Sequence, residues 1–140
     1  MKSRHYAREV ALQILYRYDL SSQSGESTTP TGSALAADLI KHFDHFKVDA
    51  EIRTFAAELV AGTLTNSVDL DGQLEKAGTT WKISRMAAID RNLLRMALYE
   101  MKNFKDIPRN VTIDEAVELA KQFGTAETSG FINGILDSIK

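Results

Sequence analysis

Residues 110–140, NVTIDEAVELAKQFGTAETSGFINGILDSIK, constrain the fold more than any other stretch of this chain. Ile113, Ala116, Val117 and Ala120 recur at helical spacing. Thr112 and Glu115 form a T-x-x-E pattern, a capping box in which each side chain satisfies an orphan amide at a helix start. Gly124 reads as a left-handed stop. Ser129 then reads as the cap of a second helix, with Phe131, Ile132, Ile135, Leu136 and Ile139 as its apolar positions. The TAET between the two reads as exposed. Asn133-Gly134 sits inside that apolar helix, where Gly costs about 1 kcal/mol relative to Ala. Such a cost points to close helix contact. The segment is too well specified to be a tail.

The rest of the chain repeats the helical period. A first helix is expected from about Ser3 to Leu20, with Ala7, Ala11, Ile14 and Tyr18 as its stripe. Ser21–Gly32 reads as a polar loop. Ser33 reads as the cap of a helix carrying Leu35, Leu39, Ile40 and Phe43, and Asp49 as the cap of one carrying Ile52, Phe55, Ala56, Leu59, Val60 and Thr63. Asn66–Glu75 continues with Val68, Leu70 and Leu74, until Gly78 breaks it. A further helical region from about Ser84 to Asn103 points Ile89, Leu93, Met96, Ala97 and Met101 inward, and Asp106-Ile107-Pro108 forms a turn. No convincing period-2 strand appears. The expectation is all-α, built by helix packing, in a single domain over residues 1–140.

With 140 residues, the chain can bury roughly two-thirds of its unfolded surface without a staple. It has no cysteine, which excludes disulfides and thiolate metal sites and fits a reducing cytosol. No apolar run approaches a membrane span. Net charge is −2, but its distribution is segregated: +2 over residues 1–20, −6 over 21–75, +5 over 76–109 and −3 over 110–140. An acidic protein can therefore carry a basic patch.

Catalytic signatures are missing. No phosphate loop, HExxH or nucleophile motif occurs. Asp38, His42 and His45 share a helix face at i, i+4, i+7, a spacing better explained by an exposed helix than by a metal. Asp90 stands at a helix start, where a carboxylate offsets the dipole. The sequence indicates no enzyme, no metal and no cofactor. What remains is a binding surface. Lys2, Arg4, His5 and Arg8 sit at an exposed helix start with Tyr6 and Tyr16 interleaved, a pattern that suits single-stranded RNA.

Three blocks, AREVALQILYRYDLS, IDRNLLRMALYE and VTIDEAVELAKQFGTAETSGFINGILD, together with FAAELVAGT, resemble the NusB family of bacterial antitermination factors. The resemblance spans nearly the whole chain, and its last block is the most specific. It implies about seven helices in two packed three-helix bundles. It implies a cytoplasmic factor that binds the boxA element of single-stranded RNA, pairs with the small-subunit ribosomal protein NusE, and joins other Nus factors on RNA polymerase to assist ribosomal-RNA transcription. NusB-like domains also precede some ribosomal-RNA methyltransferases; with the chain ending at Lys140, a stand-alone factor is expected. A homodimer that masks the RNA face is compatible with the sequence, as is a helical protein-binding adaptor with only secondary RNA contacts.

Residue by residue, the resemblance maps RNA contact onto Lys2, Arg4, His5, Arg8, Tyr16, Glu127 and Phe131, and NusE contact onto Asp90. It would bring the two ends of the chain onto one surface. The N-terminus departs from the family: some relatives carry three or four consecutive arginines, whereas SRHYAR holds two, separated. Fewer phosphate contacts imply weaker intrinsic RNA affinity and more reliance on the partner.

Overall fold

A computed structural model describes residues 4–25, 28–77 and 82–139. Among them are seven α-helices, one 3₁₀ turn and no strand: α1 (Arg4–Ser24), α2 (Gly32–His45), α3 (Ala50–Thr65), α4 (Ser67–Ala77), a 3₁₀ turn (Ile83–Arg85), α5 (Ala88–Asn103), α6 (Arg109–Phe123) and α7 (Ala126–Ser138). The all-α expectation holds. The chain divides into two compact units, Met1–Gly62 and Thr63–Lys140.

In the first unit the apolar stripe of α1 is buried as its spacing requires: Ala7, Val10, Ala11, Ile14, Leu15 and Tyr18 are all inside. Leu35, Leu39 and Phe43 of α2 and Ile52, Ala56, Leu59 and Val60 of α3 complete this core. Polar contacts tie the helices. The Tyr18 hydroxyl donates to Asp38, and the Tyr18 and His42 rings meet edge-on at 5.8 Å. Arg53 of α3 donates to the Val48 carbonyl at 2.8 Å and reaches Asp44 at 3.0 Å.

In the second unit α5, α6 and α7 pack on one another, with α4 against α5 and α7. Leu93, Leu94, Leu98, Leu119, Ile132 and Leu136 are fully buried. Arg95 grips Asp71 through two hydrogen bonds, at 2.6 and 2.9 Å, and so fastens α5 to α4.

Several boundaries differ from the sequence expectation. Helix α1 runs four residues into the polar loop, because its stop is Gly25 at φ +78°, whose amide donates to the Ser22 carbonyl. Helix α2 starts at Gly32 after Thr31, one residue ahead of the expected Ser33 cap. Ser84 and Arg85 belong to the 3₁₀ turn, and α5 begins only at Ala88. Val68, at 87% exposed, and Ile40 face outward.

Helix α6 starts at Arg109, so Thr112 lies inside it and caps nothing. Pro108 sets this start, since its fixed φ suits a helix entry and its carbonyl accepts from the Val111 and Thr112 amides. Gly124 has φ −109° and is not left-handed. It is required for another reason: a Cβ there would lie 2.9 Å from the Ala120 carbonyl and 3.0 Å from the Thr128 side chain. Helix α7 is capped by Thr125 rather than Ser129, through a reciprocal box with Thr128. Asn133 and Gly134 are exposed, and a Cβ on Gly134 would meet nothing within 4 Å. Close packing does not explain that glycine.

Candidate nucleic-acid and partner interface

The expected site residues fall in both units, and each unit is described by itself. Lys2 lies outside the described residues. Arg4, His5, Arg8 and Tyr16 stand on α1. Arg4 is exposed, and its guanidinium lies 5.0 Å from the centre of the Phe55 ring. His5 approaches Glu9 at 4.0 Å one turn on. Arg8 was expected at an exposed helix start, yet it is only 4% exposed, and its guanidinium stacks over the same Phe55 at 5.3 Å. The Arg4–Arg8 spacing of one turn explains this sharing: both side chains descend on one ring of α3. Arg8 thereby joins the packing of α1 on α3. Tyr16 lies three turns along, beside an open hollow of about 660 Å³ lined also by Gln13, Arg17, Leu20 and Phe46.

Asp38 and His42 do approach each other, at 3.3 Å, but as parts of the Tyr18 contact between α1 and α2. Burial first, and then the hydrogen bond and charge of Asp38, push the Tyr18 hydroxyl well above its ordinary pKa. The His45 ring meets Phe46 instead, at 5.1 Å. Among the described residues no cluster of three such side chains is placed to hold a metal ion.

In the second unit the structure brings together what the sequence kept forty residues apart. Asp90, Glu127 and Phe131 line one open cleft of about 360 Å³, with Arg85, Met86, Thr125 and Thr128. Local structure sets each position. Asp90 stands in the first turn of α5, directly after the 3₁₀ turn that delivers Arg85 and Met86. Arg91 steadies this corner by donating to the Met86 carbonyl at 3.0 Å. On the opposite wall, the Thr125 amide donates to Thr128 Oγ1 at 3.1 Å, and the two hydroxyls lie 3.0 Å apart. This box fixes the first turn of α7, which carries Glu127; Phe131 follows one turn on, half-buried, and lines the cleft.

Asp90, Glu127 and Arg85 make no ion pair among the described residues. Burial pushes the Asp90 carboxyl above its ordinary pKa, because ionised Asp90 loses water and gains no cation in return. Among the described residues the cleft thus offers two carboxylates and one guanidinium that make no ion pair, beside the ring of Phe131. Sequence reasoning named three of its residues and missed Arg85, Met86, Thr125 and Thr128. The only signal for Arg85 was the excess of basic residues in 76–109; the threonines could be found only by locating the true start of α7.

Fold and cleft together define an all-helical protein with an open, polar-rimmed cleft. Residues 5–140 match the NusB family model, and the chain belongs to that family. It is 44% identical over 137 residues to transcription antitermination protein NusB of Desulfitobacterium hafniense, an alignment covering 98% of this chain and 87% of that one. It is 40% identical over 140 residues to the NusB of Desulforapulum autotrophicum, covering 100% and 92% of the two. Among solved structures, T. maritima NusB superposes with a TM-score of 0.81 at 28% identity, covering 99% of this chain and 90% of that one. A chain in the crystal structure of antitermination factors NusB and NusE in complex with dsRNA has the same fold, with a TM-score of 0.81 at 23% identity and coverage of 97% and 94%.

Proposed function

We propose that this protein is a bacterial transcription antitermination factor, acting as one RNA-binding domain over residues 1–140. It binds boxA-type single-stranded RNA together with NusE, and with other Nus factors on RNA polymerase it supports ribosomal-RNA transcription in the cytoplasm. The family and the name carried by its relatives support the general role. The observation that carries the specific reading is the cleft joining Asp90, Glu127 and Phe131.

The chemistry of that cleft divides naturally. Phe131, half-buried in the lining of the cleft, offers an aromatic ring on which an unstacked base can stack, worth about 1–3 kcal/mol. Glu127 repels phosphate, so its use is to accept from a base amino group, as a carboxylate does from cytosine N4. Arg85 is free to take a phosphate. Asp90, desolvated and lacking a cation, suits a lysine or arginine of NusE. The excess of carboxylate over cation here is also what favours the second reading, an adaptor that chiefly holds a protein.

Fluorescence anisotropy with labelled boxA RNA, with and without NusE, tests both. Phe131→Ala is expected to weaken RNA binding about tenfold, leaving NusE binding intact, and Asp90→Lys to weaken NusE binding first. If Phe131→Ala and Glu127→Ala leave RNA affinity unchanged while Asp90→Lys abolishes NusE binding, the adaptor reading replaces the first.

A further inference from the structure

The basic excess of residues 76–109 is not absorbed by the RNA cleft, where it contributes only Arg85. Much of the remainder gathers at the corner between α5 and α6. Lys102, Lys105 and Arg109 rim a hollow of about 290 Å³ whose floor is Leu98, Met101 and Ile139. None of the three cations meets a carboxylate among the described residues. Lys102 donates to the neutral Gln73 at 2.9 Å, Arg109 donates to the Leu136 and Asp137 carbonyls at 2.8 and 2.9 Å, and Lys105 has no hydrogen bond or ion pair among the described residues. Elsewhere in this unit, Arg95 and Lys121 do meet carboxylates, at 2.6 and 3.7 Å. Helix α6 also begins here with no side-chain cap and no acidic residue in its first turn, so its positive end adds to the local field.

The floor decides between anions. Among the described residues no aromatic ring lines this hollow, so they give a nucleic-acid base nothing to stack on there. Buried Leu98 and half-buried Met101 and Ile139 offer an apolar seat instead. We propose that this corner docks an acidic protein segment, its carboxylates on Lys102, Lys105 and Arg109 and an apolar side chain on Met101 and Ile139. Ile139 follows the C-terminal end of α7, whereas Glu127 stands in its first turn. Twelve residues of helix separate them by about 18 Å, so the corner and the RNA cleft can be filled together. The proposal stands apart from the RNA reading, and each can fail alone.

The test is anisotropy of a labelled Glu-Glu-Leu repeat peptide against the full chain, with a Gln-Gln-Leu peptide and oligouridylate as comparison probes. The Glu-Glu-Leu peptide is expected to bind, and the Gln-Gln-Leu peptide to bind at least tenfold more weakly. The double variant Lys102→Glu/Lys105→Glu should lose about tenfold in affinity. Met101→Ser should lose severalfold, and Lys41→Glu on α2, the same kind of charge change elsewhere, should lose nothing. Thermal melting by circular dichroism verifies that each variant folds, and Lys105→Gln gives the same direction with less perturbation. Equal binding of the two peptides, insensitivity to the lysine changes, or an equal loss in Lys41→Glu would overturn the proposal. So would binding of oligouridylate alone at this corner.

Discussion

Buried threonines with opposite fates show how much one hydroxyl decides. Thr112 on α6 donates to Glu100 Oε2 on α5 at 2.7 Å, and both groups are inside, Glu100 at 1% exposed. Thr63 on α3 is just as buried, but its hydroxyl has no hydrogen-bond partner among the described residues. Losing a partner from a buried charged group costs roughly 1–3 kcal/mol, whereas removing an unsatisfied hydroxyl relieves a desolvation cost. Urea denaturation should therefore find Thr112→Val destabilised by about 2 kcal/mol, with Thr112→Ser recovering most of it. Thr63→Val should be neutral or up to about 1 kcal/mol more stable. A large loss on Thr63→Val would mean that the hydroxyl has a partner in solution. Asp90 carries a pH dependence. Its pKa is raised by burial, so its protonated form contributes stability fully below the ordinary value of 3.8, and that contribution is lost as pH rises through the higher folded value. Asp90→Asn should accordingly gain in melting temperature, relative to the parent, on going from acid to neutral pH. In the proposed complex NusE binding should weaken on acidification at a higher pH than an ordinary aspartate would give, and Asp90→Asn should remove that acid limb.

At the scale of elements, the helices were legible and their ends were not. The stripe Ala7, Ala11, Ile14 and Tyr18 is buried as read, because helical periodicity reports a face directly. The T-x-x-E at Thr112 misled because a capping box and a buried interhelical hydrogen bond use the same residue type; only the position of Pro108 separates them. The glycines of the last segment misled in the same way. Gly124 is needed for lack of space at ordinary φ, while Gly134 faces open solvent. This makes a paired prediction. Gly124→Ala must displace the Ala120 carbonyl or Thr128 and should cost about 1–3 kcal/mol, whereas Gly134→Ala should gain about 0.5–1 kcal/mol from helix propensity alone. Since Thr128 also closes the box that aims Glu127, Gly124→Ala and Thr125→Ala should weaken RNA binding as well as stability. Calorimetric melting and RNA anisotropy on the same variants measure both. The cleft shares this limit on legibility: resemblance named Asp90, Glu127 and Phe131, but their meeting depends on how α5 packs against α7, which no local pattern encodes.

Across the whole molecule, a net charge of −2 leaves RNA affinity to a few placed groups rather than to a general field. On the proposed reading those groups are few. The arginines at the start of α1 both lie over Phe55, but Arg8 is buried there while Arg4 is exposed. Arg85, exposed in the second unit, adds a guanidinium with no ion pair among the described residues. Single-stranded RNA releases counterions in proportion to the phosphates neutralised, giving a slope of about −0.7 per contact in log affinity against log salt. Two such contacts give a slope of about −1.4. On that reading most of the remaining affinity comes from stacking on Phe131 and from contacts to base edges, which salt screens little. A titration of boxA RNA affinity from low to physiological salt should show this shallow slope for the chain alone, and a steeper one with NusE if the partner brings its own cations. Arg4→Ala should reduce the slope by about 0.7, while Phe131→Ala should lower affinity at every salt concentration and leave the slope unchanged. A steep slope for the chain alone, or one that Arg4→Ala does not alter, would place the phosphate contacts elsewhere on the molecule.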